Sequence, residues 1–442
     1  MINTLRQLVL NKKVLLLGFG REGKSTLNAL KKAGGYQEIA IADMKEITPP
    51  EDNIKVFSGE SYQTACKDYD VVFKSPGIVL EKEVLSYSCE ITCQTNVFLE
   101  KFSNQIIGIT GTKGKSTTTT LLYHILSNSG VKSVMCGNIG IPCFDKAEEI
   151  CEDTKIVFEF SCHQLEYAKK SPHISVLINL FEEHLDHYGT IENYFEAKKK
   201  IYRFQNEKDL LLCGVQCDEM LDGVKGRKLT ITGGEENADI RVNNGVVNYK
   251  NHTLTIPLDE IHLIGEHNFF NIGTVYGISK ELGVSDEAFI NALKSYTPPP
   301  HRLEFCGIYD GISYYDDSIS TICETCINAI RAVPKIATVL IGGMDRGIDY
   351  SPLVEFLTQN PDAVMNVIFM ADSGKRVFEE INAKGMLSDR FKLVNTLEEA
   401  VSLSKKITPK GMACVMSPAA ASYGIFRDFE ERGEKFKELI AK

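Results

Sequence analysis

"NQIIGITGTKGKSTTTT", residues 104–120, reads as a strand, a glycine loop and the start of a helix. Gly108, Gly111 and Gly114 keep the turn free of side chains, so that backbone N–H groups can surround oxyanions. Lys115 follows Gly114, and Ser116 and Thr117 supply hydroxyls suited to phosphate or Mg2+. The stretch misses the strict G-x-x-x-x-G-K-S spacing, because Ile109 stands where the first glycine belongs. An earlier stretch, "GFGREGKST" at 18–26, meets that spacing with Gly18, Gly23, Lys24 and Ser25. Its Gly18, Gly20 and Gly23 also meet the dinucleotide pattern G-x-G-x-x-G. The chain thus carries two phosphate-loop candidates, and their surroundings decide between them.

Both loops sit in alternating strand and helix patterns. "KKVLLL" (12–17), "EIAIAD" (38–43) and "DVVFKSPGI" (70–78) predict strands of a first parallel unit ending near residue 101. The cycle restarts at 104 and continues through "KIVFEFS" (155–161) and "ISVLINL" (174–180). Residues 209–256 are more polar and predict a small antiparallel patch, and 265–282 predict a helix. "YTPPPHRLEF" (296–305) reads as a linker, since its three prolines fit neither a helix interior nor a central strand. "ISYYDDS" (312–318), "IATVLIGG" (336–343), "NVIFMA" (366–371) and "ACVMSPAAAS" (413–422) predict strands of a third unit. The length of 442 residues agrees with about three domains. The expected boundaries are 1–101, 102–299 and 300–442.

Composition excludes several classes. A hydrophobic content of 43% with 24% charged residues fits soluble domains with real cores. A net charge of −10 argues against a duplex nucleic-acid partner. "VLLLGFG" is too short to span a membrane or serve as a leader, so no membrane insertion is expected. The thirteen cysteines are scattered, and the single C-x-x-C (Cys323, Cys326) has no second pair to complete a zinc site. A reduced, cytoplasmic protein is expected.

Asp43 stands at the end of the second predicted strand, where a Rossmann unit places an acid against ribose hydroxyls. The first loop therefore reads as a nucleotide-diphosphate or dinucleotide pocket, with a ligand-free tight turn as the bland alternative. Lys24 equally fits a solvated helix residue. The second loop has carboxylate and imidazole company. Glu159 ends one strand, and His184 and Asp186 follow another, where ligands of parallel sheets collect. Taken singly, Glu159 also fits an edge charge and His184 with His187 a surface pair. Together with the loop they supply the lysine and metal-binding groups that phosphoryl transfer requires.

The chain resembles the Mur ligases nearly end to end. The resemblance rests on "GITGTKGKSTTTT", "GNIG" (137–140), "FEFSCHQLE" (158–166), "EEHLDHYGTIENYFEAKKKIY" (182–202), "GEHNFFN" (265–271), "PHRLE" (300–304), "YYDDSIST" (314–321) and "SPAAASYGIFRDFEERG" (417–433). It implies an α/β fold of three hinged domains. These are a Rossmann-like N-terminal domain, a central ATPase-like parallel sheet with an antiparallel patch, and a Rossmann-like C-terminal domain. It implies ATP-dependent joining of glutamate to UDP-N-acetylmuramoyl-L-alanine through an acyl phosphate, by a cytoplasmic, monomeric enzyme using ATP and two Mg2+ ions. Lys115, Glu159, His184 and Lys198 match the catalytic positions, with Ser116, Glu159, His184 and Lys198 around metal, Lys198 as a carbamate formed with CO2. Gly111, Thr112, Lys113, Gly114, Lys115, Ser116, Thr117, Asn268, Asn271, Arg302 and Asp317 match nucleotide contacts. Gly18, Phe19, Gly20, Arg21, Asp43, Ser75, Pro76, Gly77, Asn138 and Ser161 match the UDP-substrate site, and Thr321, Arg346, Ser422 and Phe429 the amino-acid site.

Some positions depart from the family pattern. Cys162 and His163 replace a serine and an aromatic, Ile319 replaces a lysine, and Arg346 stands where a lysine usually meets the glutamate carboxylate. Arginine binds carboxylates with a different geometry, so D- and L-glutamate both stay open here. A folylpolyglutamate synthase or a Mur enzyme for another amino acid shares the fold. From other classes, an NAD-dependent oxidoreductase would use the Gly18 loop, and a non-catalytic nucleotide-binding subunit would need no Lys115.

Overall fold

The computed structural model describes residues 1–442 apart from Glu182, His184 and Ile264 and the side chains of Leu185, Asp186, Glu266 and His267. The chain forms two compact units, Met1–Ile256 with Phe270–Leu293, and Pro257–Phe269 with Lys294–Lys442.

The first unit holds two sheets. In one, β1 (Lys13–Leu17), β2 (Glu38–Asp43), β3 (Lys55–Ser58), β4 (Val71–Lys74) and β5 (Glu90–Thr92) run parallel in the order β3-β2-β1-β4-β5. The order turns at β1, so the segments leaving β1 and β4 part and open a crevice at the strand ends. The second sheet begins with β6 (Ile106–Thr110), β7 (Ser133–Gly137), β8 (Lys155–Glu159) and β9 (Ile174–Leu177). It continues with β10 (Leu210–Gly214), β11 (Arg227–Thr232), β12 (Ile240–Asn243), β13 (Val246–Tyr249) and β14 (His252–Thr255). The order is β14-β13-β12-β11-β10-β9-β6-β8-β7. β6 lies between β8 and β9, so its loop emerges between the ends of both neighbours.

The expected antiparallel patch is smaller than 209–256. β10, β11 and β12 extend the parallel sheet, and only β12–β13–β14 is antiparallel. Alternation marks β12 as one-faced, with Ile240 and Val242 buried between exposed neighbours, whereas β10 is buried throughout. That difference separates a covered parallel strand from a half-solvated hairpin.

One apolar core joins these two sheets, running from Leu16 and Leu30 through Phe98 and Phe158 to Leu211. The rings of Phe98 and Phe158 lie 5.8 Å apart. Burying each contributes roughly 1.5–3 kcal/mol. The two glycine loops are therefore carried on one body.

The second unit holds β15 (Glu304–Tyr309), β16 (Ile312–Asp316), β17 (Ile336–Ile341), β18 (Asn366–Phe369), β19 (Phe391–Leu393) and β20 (Ala413–Met416). Their order is β15-β16-β20-β17-β18-β19, parallel except for the β15–β16 hairpin. Cys323 and Cys326 are buried on the helix Cys323–Ala332 within its core, which agrees with a packing role. Among the described residues no helix is long and apolar enough to cross a membrane.

Candidate active site

The loop after β6 is built around Gly111 and Gly114. Gly114 has φ +84°, and a Cβ there would come within 2.8 Å of the Asn271 Oδ1. Only glycine both adopts this conformation and admits Asn271 so closely. The helix Lys115–Asn128 starts at Gly114 with no side-chain cap, which leaves its first N–H groups and its dipole for an anion. Thr117 is buried, and Ser116 is partly exposed in the same first turn. Gly108 lies inside β6 rather than in the turn, against Pro172 and Phe160. Its small size there serves packing, which corrects its reading as a loop glycine.

Asn179, just past β9, pins the loop. Its Oδ1 accepts from the N–H of Thr112 at 3.0 Å and of Lys113 at 2.8 Å. Lys113 pairs with Glu183 at 3.0 Å. Two further ammonium groups converge on the loop carbonyls. Lys115 Nζ donates to Gly111 O and Thr112 O, both at 2.9 Å, and Lys198 Nζ donates to Gly111 O at 2.8 Å. Burial lowers the Lys115 pKa, while attraction to Glu159 and Glu183 opposes the shift. Lys198 is 1% exposed and lies over the Tyr194 ring at 4.9 Å. Burial first, and then the nearby Lys115 charge, bring its pKa down to about 7. Burial thus favours the neutral amine over the ammonium.

Glu159 ends β8 and is 1% exposed. Its Oε1 accepts from Asn138 Nδ2 at 2.7 Å, but its buried Oε2 has no hydrogen-bond partner among the described residues. A carboxylate oxygen buried without a partner is costly, and a divalent cation would relieve that cost. The donor set of Glu159 and the Ser116 hydroxyl, both oxygen, suits Mg2+. His184, the remaining expected metal contact, lies outside the described residues.

The first loop has a different character. Gly23 allows the helix Arg21–Ala33 to sit on the turn, since a Cβ there would lie 2.3 Å from Gly18 O. Asp43, at the end of β2, accepts from Phe19 N at 2.8 Å and from Lys45 N at 2.9 Å. Ser75 Oγ donates to Gly18 O at 3.1 Å. Gly18, Phe19, Asp43 and the Ser75–Pro76–Gly77 turn thus share the crevice at the strand ends, while among the described residues nothing lies within 4 Å of a Cβ at Gly20. The Walker-like residues point elsewhere. Lys24 is exposed, and buried Ser25 donates to Asp145 at 2.6 Å and accepts from Gln94 at 3.1 Å.

Two links tie the first loop's helix to turns after β7 and β8 of the second sheet. Arg21 Nη1 donates to Gly140 O at 2.9 Å, in the turn that carries Asn138. Gln164 Nε2 donates to Glu22 Oε1 at 2.6 Å, while Gln164 forms a reciprocal capping box with Ser161.

In the second unit Asp317, Thr321, Arg346 and Ser422 lie on loops after β16, β17 and β20, and Arg302 precedes β15. Buried Asp317 accepts from Ser417 Oγ at 2.7 Å and Leu303 N at 3.2 Å. Burial raises its pKa to about 7 against the opposing pull of Ser417 and Arg302. Arg302 Nε is buried with no hydrogen-bond partner among the described residues. Arg346 is exposed and reaches Thr321 O only at 3.4 Å, and Ser422 is buried. Phe429 opens the last helix, and its carbonyl accepts from Ser318 Oγ at 2.7 Å. Asn268 is buried in this unit, whereas Asn271 belongs to the first.

Asn179, Tyr194, Glu22 and Gln164 went unread in the sequence. Asn179 had a signal, as a lone polar residue at the end of the apolar run "ISVLINL".

The Mur ligase middle domain family matches residues 109–278. A UDP-N-acetylmuramoylalanine–D-glutamate ligase of Clostridium acetobutylicum is 31% identical, across 99% of this chain and 98% of the relative. The protein of the same name from Clostridium kluyveri is 30% identical, across 98% of each. Among solved structures, the MurF ligase of Thermotoga maritima in complex with ADP aligns with a TM-score of 0.61 at 18% identity, covering 100% of this chain and 99% of that one. The UDP-N-acetylmuramate-alanine ligase MurC of Thermotoga maritima gives 0.59 at 18% identity, over 97% and 98%. The structural neighbours carry the three-domain fold, and the curated relatives extend the likeness over the full sequence. The glycine loop after β6, with the buried Lys198 and Glu159 beside it, lies in a chain that belongs to the Mur ligase family.

Proposed function

We propose that this chain is an ATP-dependent ligase that joins D-glutamate to the alanyl carboxylate of UDP-N-acetylmuramoyl-L-alanine in peptidoglycan precursor synthesis. The names of its full-length relatives support the substrates. The observation that carries the chemistry is the convergence of Lys115 and Lys198 on Gly111 O, beside a buried Glu159 with an unpartnered oxygen.

A carboxylate is a poor electrophile. Its oxygen attacks the γ-phosphorus of ATP, ADP leaves, and an acyl phosphate forms. The glutamate amine then attacks the acyl carbon, the C–O bond to phosphate breaks, and the amine gives up a proton. Lys115 neutralises charge developing on the transferring phosphoryl group, and the uncapped helix start receives phosphate oxygens. Glu159, Ser116, His184 and a carbamylated Lys198 would hold two Mg2+ ions, which offset repulsion between the triphosphate and the carboxylate. Gly111, Thr112, Lys113, Gly114, Thr117, Asn268, Asn271, Arg302 and Asp317 complete the ATP contacts. The crevice of Gly18, Phe19, Gly20, Arg21, Asp43, Ser75, Pro76 and Gly77, with Asn138 and Ser161, takes the UDP substrate. Thr321, Arg346, Ser422 and Phe429 take the glutamate. The working domains are 1–101, 102–299 and 300–442, in a cytoplasmic monomer.

Phosphate release from ATP plus the alanyl sugar nucleotide, across a panel of amino acids, tests this reading. Release with D-glutamate is expected, whereas release only with L-glutamate or another amino acid overturns the D-glutamate assignment.

The neutral form of the Lys198 amine, which burial favours, attacks CO2, forming an N–C bond and releasing a proton, which turns a basic side chain into an anionic ligand. Protein exchanged into 13C-bicarbonate is expected to show one carbamate carbon signal that Lys198→Arg lacks. An identical spectrum in the variant removes the carbamate from the scheme.

A further inference from the structure

The helix after the first glycine loop opens with Arg21 and Glu22, and these two neighbours reach two different turns of the second sheet. Arg21 bonds the Gly140 carbonyl, next to the Asn138 that holds Glu159. Glu22 accepts from Gln164 Nε2 at 2.6 Å. Gln164 is 3% exposed and uses its other end, Oε1, to accept from Ser161 N at 3.1 Å. Its backbone N–H donates to Ser161 Oγ at 3.1 Å, and Ser161 Oγ in turn donates to Gln164 Oε1 at 3.4 Å, so both the main chain and the side chain of Gln164 hold the Ser161 turn. Glu22 is partly buried, and burial raises its pKa against the bond from Gln164 and the nearby Lys74 charge. Lys74 in turn precedes the Ser75–Pro76–Gly77 turn and donates to the carbonyls of Ser75 and Pro76 at 3.3 and 3.2 Å. A partly buried carboxylate on this helix is costly unless its partner uses it, and a small apolar residue would pack there more cheaply.

We propose that Glu22 and Gln164 are positioning residues that tie the UDP-holding loop to Ser161, so that seating the nucleotide end of the substrate fixes the turn that orients its reacting carboxylate. The pair lies outside the glycine loop after β6, on the helices that follow β1 and β8. Its effect passes through the Ser161 turn and, in parallel, through Arg21 and the Asn138 turn. This inference rests on the ligase reading given above.

A reciprocal exchange tests it. Gln164→Glu sets two carboxylates against each other and is expected to lower kcat about 10-fold or more, as a misplaced reacting group does. UDP affinity by titration and the KM for ATP should stay near the wild-type values. The double variant Glu22→Gln, Gln164→Glu restores a donor opposite an acceptor and leaves a carboxylate oxygen for Ser161 N. It is expected to recover kcat to within about 3-fold of wild type. Hydrogen exchange at the Ser161 amide gives a readout without turnover. It should be slowed by UDP in the wild-type protein, insensitive to UDP in Gln164→Glu, and slowed again in the double variant. A double variant no better than Gln164→Glu in both measurements overturns the coupling. A wild-type protein that protects Ser161 on UDP addition but releases no phosphate overturns the ligase reading and leaves the coupling standing.

Discussion

Lys115→Ala is expected to lower kcat by roughly 10³-fold, the scale on which removing a transition-state charge partner acts. Lys115 is placed for this by its position at the first residue of the helix after Gly114. Its ammonium is held by the carbonyls of Gly111 and Thr112 beside the uncapped helix start, where the proposed phosphate oxygens would compete for it. The helix start and the Asn179-pinned turn stay intact in the variant, so ATP binding weakens less than turnover falls. Lys24→Ala is the matched control. Lys24 is exposed on the helix of the other loop, and kcat at saturating substrate should hold within about 2-fold, with at most a rise in KM for the UDP substrate. A large loss of kcat in Lys24→Ala and little loss in Lys115→Ala would mean that the two loops have the opposite roles. Complete retention of the activity-linked phenotype in cells carrying Lys115→Ala would instead point to a non-catalytic nucleotide-binding subunit.

Glu159→Gln is the second large effect. The amide keeps the volume and still accepts from Asn138 Nδ2 through its oxygen, so the end of β8 is preserved. It replaces the unpartnered, buried Oε2 with an NH2 group that cannot bind a cation. A kcat loss of about 10²-fold is expected, with the Mg2+ concentration for half-maximal rate rising at least about 10-fold. The melting temperature should hold near the wild-type value, because the amide removes a buried carboxylate oxygen that has no hydrogen-bond partner among the described residues while giving up the attraction to Lys115. Unchanged Mg2+ dependence would exclude Glu159 as a metal-binding residue.

These effects show which parts of the site were legible in the sequence. The strands of 12–17, 38–43, 155–161 and 174–180 were readable because they are apolar runs ending in turn residues, and the structure confirms strands there. β3 and β5 were not. They have four and three residues, and β3 has no buried position, so neither makes a periodic signal. The loop assignment turned on the downstream set of Glu159, His184 and Lys198, and the burial of Glu159 and Lys198 emerged only in the fold. Bonds between residues far apart in sequence left no trace. Glu22 and Gln164 are separated by 142 positions, and nothing local distinguishes either from a solvated helix residue. The Lys198 shift is likewise a product of packing. "AKKKIY" presents three lysines, and only the fold buries one of them under Tyr194 and beside Lys115.

The central claim is that ATP activates a substrate carboxylate as an acyl phosphate on the loop after β6. Substrate labelled with 18O in both alanyl carboxylate oxygens should transfer one label to the released inorganic phosphate, leaving the other in the amide carbonyl. Phosphate free of label, with both 18O atoms still on the substrate carboxylate, would mean that water attacks ATP directly and would contradict this account.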